Sequence, residues 1–259
     1  MKILRSKAFD SRSLFCRFLR NIGFGRFVFR VRILLLKIET LLGRYNQRCV
    51  EYPWVLQKLD SGQGRLLLDV GCTGSLLDHE LLARGFRVVG LDIADHTMRN
   101  SREAFVQTNV LNTGLTSETF DVIVAVSTIE HIGLEAYSQD LLSENGDLLA
   151  MRELRRLLKR NGVLLLTIPY EGKGSFRIFR FGDRGEFLER RFDCDRLAKL
   201  LTGFTIVESS FFLCILKHPC KFIPVRKMTL DNLSPKISEG SLACFILRKN
   251  FLAPVKRNN

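Results

Sequence analysis

Leu67-Leu68-Asp69-Val70-Gly71-Cys72-Thr73-Gly74-Ser75 is the stretch on which the fold turns. Arg65–Val70 is a short apolar run of strand character that ends in glycine. Leu76–Arg84 follows with helical spacing, and Ser75 stands where a helix cap belongs. Gly71 and Gly74 let the backbone turn tightly between the two elements and approach a ligand closely. Asp69 puts a carboxylate beside that turn. A second strand, Arg87–Leu91, closes on Asp92, where an acidic side chain can accept both hydroxyls of a ribose.

Outward from this unit the alternation continues. Thr97–Ala104 has the pattern of a short helix and Phe105–Gln107 of a short strand, and Phe120–Val126 is a β-branched strand. Asp147–Lys159 reads as a helix stopped by Asn161-Gly162, and Val163–Ile168 as a strand. Asp195–Leu201 reads as a further helix, and Phe204–Ser209 and Leu242–Leu247 as the last two strands. Nearly continuous apolar strands between amphipathic helices specify an α/β domain, a parallel sheet covered on both faces.

The turn itself discriminates between cofactors. A dinucleotide fingerprint reads G-x-G-x-x-G. From Gly71 this chain reads Gly, Cys, Thr, Gly, Ser, Leu, so the second and third fingerprint glycines are missing and a pyrophosphate is poorly accommodated. S-adenosyl-L-methionine carries no phosphate. It needs an acceptor near its ammonium, room for its sulfonium and an acidic ribose clamp, which suits Asp69, Gly71 and Asp92.

In these segments the chain resembles the class I S-adenosylmethionine-dependent methyltransferases, over about residues 51–212 with a last strand reaching about 248. The resemblance implies a Rossmann-like fold: a seven-stranded, mostly parallel sheet with helices on both faces and the last strand antiparallel. It implies S-adenosyl-L-methionine as cofactor, held by Asp69, Gly71, Cys72, Thr73 and Gly74 of the first motif. Asp92 with Ile93 would serve the ribose, Asn109 and Val110 the adenine edge, and Ser127 the end of the fourth strand. Many members have Asp at the position of Asn109, and Gly is common at that of Thr73. The fourth-strand match, Phe120-Asp121-Val122-Ile123-Val124, runs into Ser127-Thr128-Ile129-Glu130-His131-Ile132, and similar Glu-His segments occur in the small-molecule branch. Asp121 reads as a backbone-orienting group.

His131 is the candidate general base for a hydroxyl acceptor, because its ordinary pKa lies near neutrality. Glu130 is an alternative base or orients His131. The Asn/Asp-Pro-Pro-Tyr/Phe segment of base-amine methyltransferases is missing, and no cysteine lies near the fourth strand to act as a nucleophile, Cys194, Cys214 and Cys220 being too far along. Tyr170 and Glu171 face an acceptor pocket or belong to a solvated loop. Arg177–Arg191 is an anion-binding flap or a solvated mixed-charge loop. Glu51-Tyr52-Pro53-Trp54 is similar to a lead-in of glycan-biosynthesis methyltransferases. It either caps the cofactor or starts a helix pinned by proline and packed by tryptophan.

The chain has 259 residues and a net charge of +13. Residues 1–48 carry +10, 49–212 carry −4 and 213–259 carry +7. The basic excess therefore lies in the flanks of a slightly acidic core, which argues against a core that grips nucleic acid. The organisation read is a basic amphipathic extension over 1–50, a methyltransferase core over 51–212, and a basic segment over 213–259 that completes the sheet. Residues 28–42 have helical spacing with an apolar face, suited to an anionic membrane surface or to packing on the domain. The seven cysteines have no CxxC spacing, and no metal site is read. With no apolar run of bilayer length and no signal-peptide pattern, the expected location is cytoplasmic, at the inner face of the membrane if the extension docks there. The expected activity is methyl transfer to a small-molecule or saccharide hydroxyl, lipid- or nucleotide-linked acceptors included. RNA or protein methylation docked by the basic flanks, and a non-catalytic S-adenosylmethionine-binding scaffold, are the alternatives.

Overall fold

The structure is a computed structural model. It describes residues 47–96, 99–100, 102–134, 142–181, 187–217 and 220–250. The amphipathic helix expected within 28–42, and almost all of the basic N-terminal extension, lie outside the described residues.

The elements in chain order are α1 (Arg48–Lys58), β1 (Leu66–Val70), α2 (Leu77–Ala83), β2 (Arg87–Asp92), β3 (Ala104–Gln107), β4 (Phe120–Val126), a 3-10 turn (Ile129–His131), α3 (Gly146–Leu157) and β5 (Leu158–Pro169). Then follow β6 (Arg177–Phe181), β7 (Phe187–Arg191), α4 (Cys194–Leu200), β8 (Phe204–Lys217), β9 (Cys220–Val225), α5 (Lys227–Asp231), α6 (Pro235–Ser238) and β10 (Leu242–Lys249). The main sheet has the order β3-β2-β1-β4-β5-β10-β8-β9. Its strands are parallel from β3 through β5, whereas β10 pairs antiparallel with both β5 and β8.

The fold is thus the Rossmann-like arrangement expected, with one correction: the sheet has eight strands, not seven. The eighth, β9, arises because β8 continues past Ser209 to Lys217 and folds back on itself. Residue 212 consequently lies inside β8. A further hairpin, β6–β7, forms where a loop or flap was expected.

The strands show period-2 burial on two faces. Leu68, Val70, Ile123, Ala125, Leu164 and Leu166 pack with Ala150, Met151 and Leu154 of α3 and Leu197 and Leu200 of α4. Leu67, Val122, Val124 and Leu165 face the other way, onto Trp54 and Val55 of α1 and Leu77 and Leu81 of α2. Alternating faces buried by helices on both sides explain the unbroken apolar strand sequences. Each of these large side chains contributes about 1.5–3 kcal/mol through burial.

Three local readings shift. The described residues of 97–104 form no helix, and Ala104 already pairs with Val89 in β3. Helix α3 ends at Leu157, not Lys159, and Asn161-Gly162 sits in an irregular part of β5 between the pairs Phe120–Leu158 and Val122–Val163. Helix α4 begins at Cys194 rather than Asp195, capped by Asp193, which accepts from the Arg196 amide at 2.8 Å.

Candidate active site

The carboxyl ends of β1 and β4 open into a cavity bordered by Asp69, Gly71, Thr73 and Gly74 and closed by Arg48 and Tyr52 of α1. Gly71 and Gly74 have φ of +76° and +81°, the left-handed region that glycine adopts without strain. A Cβ at Gly71 would also stand 2.4 Å from Thr128 Oγ1, so the turn needs glycine twice over. Thr73 keeps a φ outside the left-handed region, which accounts for its tolerance at this position. Its amide donates to Asp92 Oδ2 at 2.9 Å, and the Ala94 amide donates to Asp92 Oδ1 at 2.9 Å. Asp92 is therefore held by one N–H on each oxygen, with lone pairs remaining.

Asp69 is the unusual group. It is 3% exposed, and its Oδ2 has no hydrogen-bond partner. Burial, reinforced by the neighbouring Asp78 carboxylate and opposed by the Arg48 guanidinium, pushes its pKa up to about 7. An orphaned buried acceptor at the rim of a cavity is the signature of a site shaped for a cationic or hydrogen-bonding ligand. The residues present thus fit S-adenosyl-L-methionine on acceptor chemistry at Asp69 and Asp92 and on backbone clearance at Gly71 and Gly74.

Other expected contacts fare differently. Cys72 is fully buried, with its thiol turned away from the cavity toward Gly90 and Glu103. Val110 is a core residue, so only its backbone is available. Asn109 Oδ1 accepts from the Leu111 amide at 2.9 Å and shapes the turn after β3. The Ile93 carbonyl accepts from Gln107 Nε2 at 3.1 Å, tying the ends of β2 and β3. Asp121 holds the Leu66 amide at 2.9 Å and Lys159 at 2.8 Å, the orienting role read for it.

Ser127 has φ +42°, strained for a non-glycine residue, at the tip of β4. Its hydroxyl donates to Glu51 Oε1 at 2.5 Å, and the Thr167 hydroxyl donates to the same oxygen at 2.7 Å. Glu51 is fully buried and also binds Arg48 at 3.1 Å, while Arg48 donates to the Val126 carbonyl at 2.8 Å. The Tyr52 hydroxyl and Ser75 Oγ lie 3.0 Å apart, and Ser75 Oγ accepts from the Leu77 amide at the start of α2. The Glu-Tyr-Pro-Trp segment is therefore a lid-like helix over the cavity, pinned to β4 and β5. Pro53 lies inside α1 rather than at its start, and Trp54 packs in the core with Nε1 donating to Ser210 Oγ at 3.1 Å. Sequence reasoning found Glu51 and Tyr52 but missed Arg48 and Thr167, which carry no local motif.

Past β4, outside the lining of the cavity, His131 Nδ1 donates to the Leu188 carbonyl at 2.7 Å, which fixes the tautomer with the lone pair on Nε2. Burial, with further contributions from Arg48, Arg190 and Arg191, pushes its pKa down to about 4 despite the carbonyl. Nε2 lies 4.0 Å from Glu130 Oε1. Glu130 is buried, and burial together with the Glu189 charge pushes its pKa well up. The two residues are driven to opposite protonation preferences: imidazole neutral, carboxyl protonated.

Of the described arginine side chains of 177–191, Arg190 and Arg191 are buried, whereas Arg177 is 39% exposed. Arg190 is fully buried and donates to the carbonyls of Ile132, Ser143 and Glu144 at 2.7, 3.0 and 3.1 Å. Arg191 pairs with Glu189 and, at 3.3 Å, with Glu171, which also holds Arg177 at 2.8 Å. Tyr170 is buried in the core with its hydroxyl bonded to Asp231, so it lies in neither a solvated loop nor an open pocket.

Residues 68–166 match a family model described as a methyltransferase domain. Among curated proteins, the chain is 30% identical over 106 residues to a ubiquinone biosynthesis O-methyltransferase of Rickettsia akari, covering 36% of this chain and 41% of that protein. It is 25% identical over 120 residues to an uncharacterized protein of Methanocaldococcus jannaschii, covering 46% and 47%. The chain thus spans less than half the length of these relatives. Among solved structures, a 1,6-didemethyltoxoflavin-N1-methyltransferase of Burkholderia thailandensis superposes with TM-score 0.52 at 17% identity, covering 97% of this chain and 93% of that one. A SAM-dependent methyltransferase of Methanosarcina mazei gives TM-score 0.55 at 16% identity, covering 75% and 96%. Such likenesses bear on the fold.

Proposed function

We propose that the chain, whose residues 68–166 match a methyltransferase domain model and whose fold is that of solved S-adenosyl-L-methionine-dependent methyltransferases, moves a methyl group to a hydroxyl of a small-molecule or saccharide acceptor. Lipid- and nucleotide-linked acceptors fall within this class. The observation that carries the reading is the orphaned Asp69 carboxylate at the rim of the cavity between β1 and β4.

When bound, S-adenosyl-L-methionine supplies an electrophilic methyl on a sulfonium. Asp69 would accept from its ammonium. Asp92 would accept from the ribose hydroxyls, with Ile93 alongside. Asn109 and the Val110 backbone would border the adenine, and Gly71 and Gly74 would allow close approach. Helix α1 excludes water through Arg48 and Tyr52, and the strained Ser127 fixes the far wall. His131 would take the hydroxyl proton at Nε2, which stays unprotonated at pH 7 and is only weakly basic with its pKa pushed down to about 4. The Leu188 carbonyl orients the imidazole through Nδ1.

An oxygen acceptor is supported by the ubiquinone biosynthesis O-methyltransferase relatives. The experiment is a transfer assay with methyl-labelled S-adenosyl-L-methionine against glycan intermediates, quinols, RNA and protein. Label in an alkali-stable ether of a saccharide or small molecule is the expected result, and label confined to RNA or protein would overturn it. No helix among the described residues is long and apolar enough to cross a membrane. We assign residues 1–48 to docking on the cytoplasmic face of an anionic membrane, on their charge of +10. Vesicles with anionic lipid should sediment the full chain but not one beginning at Arg48.

A further inference from the structure

Behind the cofactor loop, on the side away from the cavity, four segments distant in sequence converge. Cys72 comes from the turn after β1, Asp78 from α2, His96 from the segment after β2, and Glu103 from the residue before β3. Cys72, Asp78 and His96 are fully buried and Glu103 is 7% exposed. Both oxygens of Asp78, both ring nitrogens of His96 and both oxygens of Glu103 are buried without a hydrogen-bond partner. So many orphaned polar atoms in one place do not occur in an interior that is complete as protein alone.

The distances give the cause. His96 Nε2 lies 3.6 Å from Asp78 Oδ2 and 3.6 Å from Glu103 Oε2. That is too long for hydrogen bonds. It is the spacing of ligand atoms along the edge of a coordination tetrahedron, about 3.3–3.8 Å for metal–ligand bonds of about 2.0–2.3 Å. One ligand atom each from Cys72, His96 and Glu103 all lie within 4.8 Å of one another. Gly90 keeps the space open: a Cβ there would stand 2.4 Å from Glu103 Oε1 and 2.8 Å from Cys72 Sγ.

We propose that Cys72, His96 and Glu103 form a buried structural zinc site, with Asp78 beside His96. One thiolate, one imidazole and one carboxylate favour zinc over magnesium or calcium, which prefer all-oxygen shells. Full burial makes the site structural rather than catalytic. Zinc binding displaces the Cys72 thiol proton, and any proton on Glu103, to solvent. The ion cross-links the cofactor loop to the segment after β2 and to the residue before β3, and so fixes the turn that carries Gly71 and Gly74. Sequence reading missed it because the ligands come from three segments with none of the paired spacings of known zinc motifs.

The test is elemental analysis of full-length protein produced in zinc-supplemented medium, followed by cobalt(II) substitution of the same protein. About one zinc per chain is expected, as is a thiolate-to-cobalt charge-transfer band that disappears in Cys72→Ser. Glu103→Gln should weaken zinc binding at least about tenfold while keeping the band. The wild-type spectrum requires no variant to fold. Protein without zinc that also gives no cobalt spectrum would overturn the site, as would a band that survives in Cys72→Ser. Thermal shift by S-adenosyl-L-methionine on the same preparation reports separately on the cofactor cavity.

Discussion

Two regions of the molecule are built by different means. The ends of β1 and β2 around the cavity are made of local features: two glycines at positive φ, an acid near the end of β1, and an acid ending β2 held by neighbouring amides. The region from the 3-10 turn to β7 is made of buried charges that reach across the chain. Arg190 gathers carbonyls 46 to 58 residues away, and Glu51 accepts from Ser127 and Thr167, 76 and 116 residues away. A backbone turn can be encoded in six residues. A buried charge needs partners from several elements, so it is stable only once the tertiary structure exists.

This contrast can be broken by experiment, beginning with the largest effect. Arg190→Ala should destabilise the protein by about 3–5 kcal/mol, because it leaves the carbonyls of Ile132, Ser143 and Glu144 without their buried donor, while Asp147 keeps Arg196. Denaturant unfolding measures this, and a loss below about 1 kcal/mol would show the region around β7 to be loosely held.

The pH dependence of stability comes next. His131 has a folded pKa of about 4 against an ordinary 6.5. Above pH 6.5 both folded and unfolded forms are neutral and the group has no effect. As pH falls from 6.5 to 4 the unfolded chain binds a proton that the folded one refuses, so stability is lost, up to about 3 kcal/mol. His131→Asn, which keeps an N–H for Leu188, should lose that much less between pH 7 and pH 4. Parallel pH profiles of the two proteins would contradict the burial argument. The same variant should cut turnover about 100-fold or more if the imidazole takes the proton, with cofactor affinity nearly unchanged.

Asp92→Ala acts at the end of β2 and should leave the fold intact. It should remove most of the rise in Tm that S-adenosyl-L-methionine produces, a loss of about 1.5–3 kcal/mol in binding. An undiminished shift would move the ribose elsewhere. The smallest effect is expected at Asp121→Ala. The residue is 30% exposed on its side chain and orients only the Leu66 amide and Lys159, so about 1 kcal/mol of stability and no activity should be lost.

The same division explains what the sequence disclosed. Asp69, Gly71, Gly74 and Asp92 were legible because strand, turn and acid are adjacent in the chain, and the parallel sheet was legible because strands buried on both faces are apolar at every position. The eighth strand was not, because β9 contains Pro224 and lies at the sheet edge, where little periodic burial marks it. The β6–β7 hairpin was hidden because its arginines and glutamates read as a solvated surface, although Arg190, Arg191 and Glu189 are buried against one another and against distant carbonyls. Cys72 was read as a cofactor contact from its place in the motif. The alternation of side chains after β1 turns its thiol to the opposite side.

The most direct test is calorimetric titration of the full chain with S-adenosyl-L-methionine, alongside Asp69→Asn, which keeps the shape of the side chain and removes its charge. One site per chain in the wild type, weakened about 10- to 100-fold in the variant, is the predicted result. No binding to the wild type, or equal affinity in the two proteins, would contradict the assignment of the Asp69 cavity to the cofactor.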